Sequence, residues 1–309
     1  MKTLGILYND RDGVFRRYPF KHKYTFLAYQ KFSDIASKNN LKVVIAKPEW
    51  YRDRKLSLCW NLLTSKVEKN VSVDFILDRC LNPNKKYYYF MRRLRKKIKH
   101  DVKVLNVPFV EDVCNDKYLT YMFLKKRVPT TVMSIKKIGE IKSDLVVVKP
   151  RYGAGGREVY IQGKDSIKML KKDFLLQEFV DTSSGINGLV KGVHDLRLVI
   201  LNGKILDFYI RTPRKGLISN ISLGGRFVKV DKIPTSAERM GSYVDKKLRK
   251  FYPRFYSVDL LFDKNQRPWI CELNAHPGLD VYHEVGEGID KHEEMCEEGT
   301  VIMAHAWVN

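Results

Sequence analysis

The sequence lacks the features of disulfide-stabilised, zinc-binding and membrane-spanning proteins. Its 309 residues include only five cysteines, an odd number, and no two of them have the Cys-x-x-Cys spacing of a zinc or redox site. No apolar run approaches the length of a membrane span. The apolar run at the N-terminus is too short for a secretory signal. We therefore expect reduced thiols and a cytoplasmic protein.

Acidic residues are scarce. Lys and Arg total 57 against 35 Asp and Glu, so the formal net charge is +22. This surplus favours a polyanionic partner, such as nucleic acid, an anionic membrane or an acidic substrate, without choosing among them. Residues 85–100 contain eight Lys or Arg and no acid. We expect this segment to form a helix whose basic face is either solvated or in contact with an anionic substrate.

Strand-like and helix-like patterns alternate along the first hundred residues. Strands are predicted at 4–9, 41–47, 73–79 and 102–108, and helices at 24–38 and 85–99. This alternation favours a parallel α/β sheet. Further along, a helix is predicted to open at 115–117, followed by strands at 146–150, 157–161 and 174–180 and by hairpins at 196–211 and 255–274.

The last predicted hairpin ends in oxygen-bearing side chains. Glu272 and Asn274 are two residues apart in a strand and therefore share a face. If Phe262 pairs with Trp269, Asp259 lies opposite Glu272 and the three side chains converge, whereas a one-residue slip would separate them. Oxygen ligands without His or Cys suit Mg²⁺, which proteins usually bind together with substrate phosphates.

A candidate for binding those phosphates is VVVKPRYGAGGREVYI, residues 146–161. Lys149 ends an apolar strand, and Gly153, Gly155 and Gly156 form a turn whose backbone N–H groups could bind phosphate oxygens. No Gly-Lys-Ser/Thr follows, so this is not a Walker A loop, and no helix opens directly after it, as a dinucleotide fingerprint requires. By itself the pattern is weak and is more often a glycine-rich hairpin with a lysine near its base.

Six segments, taken in order, resemble the ATP-grasp superfamily, and most of all its RimK and glutathione-synthetase branch of carboxylate–amine ligases. They are NDKYLTYMFLKKRVPTT (115–131), VVVKPRYGAGGREV (146–159), LLQEFVD (175–181), HDLRLVILNGKILDFYIR (194–211), SNISLGG (219–225) and VDLLFDKNQRPWICELNAHPGL (258–279). The resemblance implies an α/β ATP-grasp fold with an N-terminal parallel α/β domain at 1–110 and an ATP-grasp domain at 111–309. The latter would comprise a mobile lid subdomain, 111–179, and a metal- and substrate-binding subdomain, 180–309.

The resemblance also implies roles for individual residues. Those implied to bind ATP are Lys117, Lys149, Gly153, Gly155 and Gly156 at the phosphates, Gln177, Glu178 and Val180 at adenine, and Asp181 at the ribose. Those implied to stabilise the transferred phosphoryl group are Arg197, Arg211 and Asn220, and those implied to hold two Mg²⁺ ions, or Mn²⁺, are Asp259, Glu272 and Asn274. A simple two-residue Asn-Gly hairpin would place Arg197 and Arg211 on opposite faces. A shared role therefore requires a β-bulge, and otherwise one arginine is structural.

The implied activity is ATP- and Mg²⁺-dependent joining of a carboxylate to an amine, of amino-acid or peptide type, through an acyl phosphate. Such chemistry needs positioning and charge neutralisation more than a protein nucleophile. The basic surface favours an acidic peptide as one substrate, and the resemblance implies a homo-oligomer. Two alternatives stay open: an ATP-grasp kinase that needs no amine, and a nucleic-acid- or polyanion-binding protein on a grasp fold, whose affinity would fall steeply with salt.

Overall fold

A computed structural model describes residues 1–9, 20, 23–81, 84–153, 155–219 and 224–278. Within these ranges the chain forms three β-sheets and five α-helices. Asn220 lies outside the described residues, as does an acidic run at 284–299. None of the described helices is long and apolar enough to cross a membrane.

The N-terminal sheet is mixed rather than fully parallel. Its strands are β1 (Lys2–Leu7), β2 (Leu41–Ala46), β3 (Tyr51–Arg52), β4 (Lys55–Asn61), β5 (Lys66–Ser72), β6 (Phe75–Asp78) and β7 (Lys103–Leu105). The predicted strands β2, β1, β6 and β7 pair in parallel in that order, which confirms the predicted parallel sheet. Strands β3, β4 and β5 add an antiparallel extension beside β2, which the sequence analysis did not predict.

Two predicted helices cover this sheet. They are α1 (Lys23–Lys38) and α2 (Lys85–Asp101). α1 buries Tyr29 and Phe32 in one hydrophobic cluster with β1 and β2, and α2 buries Met91 and Ile98 in another. The side chain of Asn84 caps α2 by accepting a hydrogen bond from the backbone N–H of Tyr87 at 2.9 Å. The apolar residues of the basic segment thus face inward and most of its cations are at least partly exposed, whereas Arg95 is buried.

Two short helices lead from this sheet into the second one. They are α3 (Pro108–Asn115) and α4 (Lys117–Leu124). The predicted strand at 102–108 is too long, because β7 ends at Leu105 and Pro108 occupies the first turn of α3, where its missing N–H costs nothing. Asp116 caps α4 by accepting from the backbone N–H groups of Tyr118 and Leu119, which confirms the predicted helix start.

The second sheet, called here the lid sheet, is antiparallel and has four strands. They are β8 (Thr131–Val132), β9 (Leu145–Pro150), β10 (Tyr160–Gly163) and β11 (Phe174–Glu178), in the order β10-β9-β11-β8. The strand predicted at 157–161 begins three residues later, at Tyr160. The sheet has its own small core, which includes Val146, Val148, Phe174 and Leu176.

The third sheet carries the two predicted hairpins. Its strands are β12 (Asp195–Leu201), β13 (Lys204–Thr212), β14 (Arg226–Val228), β15 (Phe255–Phe262) and β16 (Pro268–Asn274), in the order β14-β13-β12-β15-β16. Leu196 and Leu198 of β12 pack in one cluster with α5 (Thr235–Leu248), while Val199 and Leu201 join the cluster of the N-terminal domain. The third sheet is therefore covered by α5 on one face and by α1 and the N-terminal sheet on the other.

Candidate active site

A cavity of about 390 Å³ lies between the lid sheet and the third sheet. Its size is typical of small-molecule sites. The apolar residues that line the cavity include Val147, Ile161, Phe179, Leu217 and Leu261. The charged residues that line it include Lys117, Lys149, Arg211, Asp259 and Glu272. The cavity therefore combines an apolar part with a charged part, as a site for a ligand with an aromatic base and phosphates would.

Two lysines supply positive charge in the cavity. Lys149 is 4% exposed, and its Nζ donates to Gln177 Oε1 at 2.7 Å and to the carbonyl of Cys271 at 3.4 Å. The Nζ of Lys117 donates to the carbonyl of Gly153 at 2.6 Å. Burial lowers the pKa of Lys117, and nearby Lys149 lowers it further, against the influence of Glu272. Both lysines are held by neutral oxygens, so their charge is available to an anionic ligand.

The glycine-rich loop lies next to these lysines. Gly153, Gly155 and Gly156 have φ values of 110°, 82° and 66°, which side-chain-bearing residues rarely adopt. Gly153 and Gly156 line the cavity. The glycines therefore permit a backbone path on which N–H groups can approach a ligand, as the sequence analysis predicts.

A β-bulge brings the two predicted arginines to one face. Near the Asn202-Gly203 turn, Ile200 pairs with Ile205, but beyond the bulge Val199 pairs with Asp207. The shift adds one residue on β13, so Arg211 faces the same side as Arg197. The bulge that a shared role requires is therefore present.

Both arginines bind the same carboxylate. Arg197 donates from Nε to Asp259 Oδ1 and from Nη2 to Oδ2, each at 2.7 Å, and Arg211 Nη2 donates to Oδ2 at 2.7 Å. Burial opposes ionisation of Asp259, but the two arginines outweigh it and lower the pKa to about 2. Asp259 is therefore ionised at neutral pH, as a metal ligand must be.

A second bulge sets the register of the metal-site hairpin. The predicted pairing of Phe262 with Trp269 is wrong, because Phe262 pairs with Pro268. The ladder then shifts by one residue between Leu260 and Asp259, so Asp259 still lies opposite Glu272, as predicted. The extra residue on β16 is Cys271, the residue whose carbonyl lies 3.4 Å from Lys149 Nζ. The bulge therefore aligns the acids and also directs a backbone oxygen at the lysine.

The oxygen ligands of this hairpin fit a divalent cation. Glu272 is half-buried, lines the cavity and forms no ion pair among the residues that the structure describes. Asn274 shares its face, and its Oδ1 accepts from the backbone N–H of His276 at 2.8 Å. Asp259 Oδ1 accepts one arginine hydrogen bond and keeps a lone pair for a cation, whereas Oδ2 already accepts two. Asp259, Glu272 and Asn274 could therefore hold Mg²⁺ through oxygen atoms alone.

Three of the four residues predicted to bind adenine and ribose line the cavity. Gln177, Glu178 and Val180 line it, and Gln177 also donates to Thr131 Oγ1 at 3.0 Å. The side chain of Asp181 is exposed, accepts from the backbone N–H of Ser183 at 2.9 Å and does not line the cavity. Its ribose role stays a prediction.

Some predicted residues lie behind the cavity wall rather than at its surface. Gly155, Arg197 and Asn274 do not line the cavity. Arg197 reaches it only through Asp259. Asn220 lies outside the described residues, so its predicted role is not tested.

Asp195, which no sequence pattern singled out, extends the charged network. Its carboxylate accepts from Arg211 Nε at 2.6 Å and also from Ser219 Oγ. Burial raises the pKa of Asp195, and Asp259 adds to this while Arg211 opposes it. Arg211 therefore bridges two carboxylates. The signal was only Asp195 at the start of a strand, two residues before Arg197.

A second buried network was also missed, and it joins the N-terminal domain to the end of the metal-site strand. We call it the Arg95 cluster; it consists of Asp78, Arg95, Glu111 and His276. Arg95 Nε donates to Asp78 Oδ2 at 2.5 Å, and Arg95 Nη2 lies 3.3 Å from Glu111 Oε2. His276 Nε2 lies 3.2 Å from the same Glu111 oxygen. Burial opposes ionisation of Glu111, but His276 and Arg95 outweigh it and lower the pKa to about 2.

Asp78, Glu111 and His276 are close enough together to suggest a metal site. However, the guanidinium of Arg95 already contacts both carboxylates. A protein cation therefore already pairs with both carboxylates, at the place where a metal ion would otherwise bind.

Comparison with known proteins agrees with this geometry. Tetrahydromethanopterin:alpha-L-glutamate ligase of Methanocaldococcus jannaschii is 27% identical over 227 residues, covering 68% of this chain and 76% of that protein. The uncharacterised protein MG011 of Mycoplasma genitalium is 29% identical over 180 residues, covering 57% of this chain and 58% of that protein. The chain thus spans less than two thirds of the length of the mycoplasma relative.

A solved structure and a family model define the fold. The D-cycloserine synthetase DcsG superposes with a TM-score of 0.64 over 98% of this chain and 99% of that one, at 10% identity, which is a likeness of fold alone. The model of the ATP-grasp domain matches residues 114–278, which contain the lid sheet, the third sheet and every described residue that lines the cavity. The chain belongs to the ATP-grasp family.

Proposed function

We propose that this protein is an ATP- and Mg²⁺-dependent ligase that joins a carboxylate to an amine through an acyl phosphate. One observation carries the proposal: two lysines held by neutral oxygens, Arg211 and the facing acids Asp259 and Glu272 line one cavity. The ligase name of the methanogen relative supports this reaction over the kinase alternative.

The chemistry follows from the charges in the cavity. The γ-phosphoryl group would move from ATP to a substrate carboxylate oxygen, giving ADP and an acyl phosphate. An amine would then attack the acyl carbon and lose a proton, forming the C–N bond and releasing phosphate. Lys117 and Lys149 would bind the phosphates, and Arg211 would stabilise charge on the transferred group. Asp259, Glu272 and Asn274 would hold Mg²⁺, either as two ions or replaced by Mn²⁺. The metal would neutralise negative charge on the phosphate oxygens.

We further propose an amino acid or peptide as the amine substrate. The name of the methanogen relative makes L-glutamate the first amino acid to test. A cytoplasmic location fits an enzyme that consumes ATP, and a homo-oligomer stays a prediction from the family resemblance.

The test is ADP release with Mg²⁺ and ATP, against pools of amino acids and acidic peptides. The matched control is Glu272→Gln, which preserves the shape of the side chain and removes its charge. Turnover that requires both a carboxylate and an amine, and is lost in the control, would support the ligase. ADP release with a stable phosphorylated product and no need for an amine would indicate a kinase. Absence of ATP binding, together with salt-sensitive nucleic-acid binding, would overturn the proposal.

A further inference from the structure

The exposed face of α2 carries a row of cations. Lys86, Tyr89, Arg92, Arg93 and Lys96 follow the spacing of three and four residues that places side chains on one side of a helix. We call this row the α2 stripe. Four of its members, Tyr89, Arg92, Arg93 and Lys96, line a shallow surface groove.

Most of the charge on the α2 stripe is not neutralised by the part of the chain that the structure describes. Arg92 Nε donates to Asp112 at 2.8 Å. Lys86, Arg93 and Lys96 are exposed and form no ion pair with a described residue. Arg93 and Lys96 are three residues apart and therefore repel one another unless an anion binds between them, and Lys86 lies two turns away on the same side.

The stripe leads to the active-site cavity. The ring of Tyr89 lies 6.4 Å from the ring of Tyr152, centroid to centroid, and Tyr152 lines the cavity. Tyr152 also packs on Tyr88 of the same helix, at 4.7 Å. Lys85 Nζ lies 2.7 Å from Asp173 Oδ1. Because Asp173 directly precedes β11, this ion pair joins the start of α2 to the lid sheet. A ligand on the stripe is therefore next to both the cavity and the lid sheet.

We propose that the α2 stripe binds an acidic peptide segment of the substrate, whose reacting end enters the cavity past Tyr152. This inference rests on the proposed ligase function and specifies its substrate class. Residues 86–96 span about 15 Å of helix, which matches about five residues of extended peptide. Side-chain carboxylates would then alternate along the row of cations.

A peptide fits this surface better than single-stranded nucleic acid. Proteins that bind single strands combine cations with several aromatic side chains on which successive bases stack. Tyr89 is the exposed aromatic of the stripe and is 43% exposed, while Tyr88 is buried. The groove thus offers charge for several anionic groups but a stacking surface for one ring.

The test is binding of a fluorescently labelled hexaglutamate peptide to the full chain, measured by anisotropy with Mg²⁺ and a non-hydrolysable ATP analogue. The test variant is Arg93→Glu/Lys96→Glu. The matched control is Arg239→Glu/Lys246→Glu on α5, which changes one exposed Arg and one exposed Lys and so alters the net charge equally. Because attraction to two exposed cations becomes repulsion, we expect binding to weaken at least about tenfold in the test variant and less than about threefold in the control.

Three results would overturn the proposal. Equal weakening in both variants would show that only net charge matters, and tighter, α2-dependent binding of a single-stranded oligonucleotide would assign the stripe to nucleic acid. The third result uses a full-length variant in which four glutamates of the acidic run at 284–299 are replaced by glutamine: Glu293, Glu294, Glu297 and Glu298. If hexaglutamate binds only this variant, the stripe belongs to the chain's own acidic run. ADP release with amino acids alone is a separate readout, so the ligase function can stand if peptide binding fails.

Discussion

Replacing Arg95 with Met should destabilise the protein strongly and in a pH-dependent way. Arg95 is 1% exposed and lies between Asp78 and Glu111, which are no more exposed. Removing one partner of a buried ion pair costs about 3–5 kcal/mol, because the other charge stays buried without compensation. Here two carboxylates lose their cation, so we expect a loss of about 4–5 kcal/mol in the free energy of unfolding at neutral pH.

The pH dependence follows from the direction of the pKa changes. Without Arg95, burial would be opposed mainly by His276, and we expect the pKa of Glu111 to rise above that of the unfolded chain, about 4. Ionised carboxylates then destabilise the folded state at pH values above the raised pKa. This penalty disappears as the pH falls toward the unfolded values, at about 1.4 kcal/mol for each unit of pKa change. The free energy of unfolding that the variant loses relative to wild type should therefore be smaller at about pH 5 than at about pH 8.

The measurement is urea denaturation of wild type and variant at both pH values, followed by fluorescence and circular dichroism. Arg92→Met is the matched control, because its ion pair with Asp112 is partly exposed and should contribute less than about 1 kcal/mol. A deficit equal to that of the control, or a large deficit with no pH dependence, would refute the assignment of Arg95 as the cation that neutralises this cluster.

Three further predictions concern the cavity. Lys149→Met should weaken binding of a non-hydrolysable ATP analogue by at least about tenfold in calorimetry, since hydrogen bonds to charged groups contribute about 1.5–3 kcal/mol; unchanged affinity would remove Lys149 from the phosphate site. Glu272→Gln should leave the melting temperature within about 2 °C of wild type, because Glu272 forms no ion pair with a described residue. The same variant should lose Mg²⁺-dependent ADP release, and retained turnover would contradict a role of Glu272 at the metal. Burial lowers the pKa of His194, so the unfolded state binds more protons below about pH 6.5 and wild type loses stability as the pH falls through that region. His194→Gln should reduce this loss between about pH 7 and pH 5 in urea denaturation, and an unchanged pH dependence would show that His194 is not its source.

The sequence predicted that Asp259 lies opposite Glu272, but through a wrong register. Pairing Phe262 with Trp269 and counting inward places Asp259 opposite Glu272, and the structure has the same final pair. The outer strand is displaced by one residue, and the bulge at Cys271 cancels the displacement. Alternating side chains reveal the face of a strand but carry no signal for an extra residue within it.

Other parts of the fold were hidden because their local patterns are weak. The strand β5 is mostly exposed and reads KVEKNVS, so its apolar residues do not mark a buried face. Pro108 read as the end of a strand, whereas it opens α3. The Arg95 cluster unites side chains from β6, α2, α3 and the residues after β16. Only the assembled fold brings such distant residues together, so no local pattern could predict their contact.

The two bulges also determine where the chain can change length. The extra residue of each bulge fixes which side of the sheet the next residues face, so removing it would turn Arg211 or Glu272 toward the opposite face. Beyond the bulges lie the Asn202-Gly203 turn and the loop from Asp263 to Arg267, where added residues leave the inner pairing intact. These two turns are therefore the positions in the hairpins at which related chains should differ in length, and at which a tag or reporter could be inserted without moving the charged groups of the cavity.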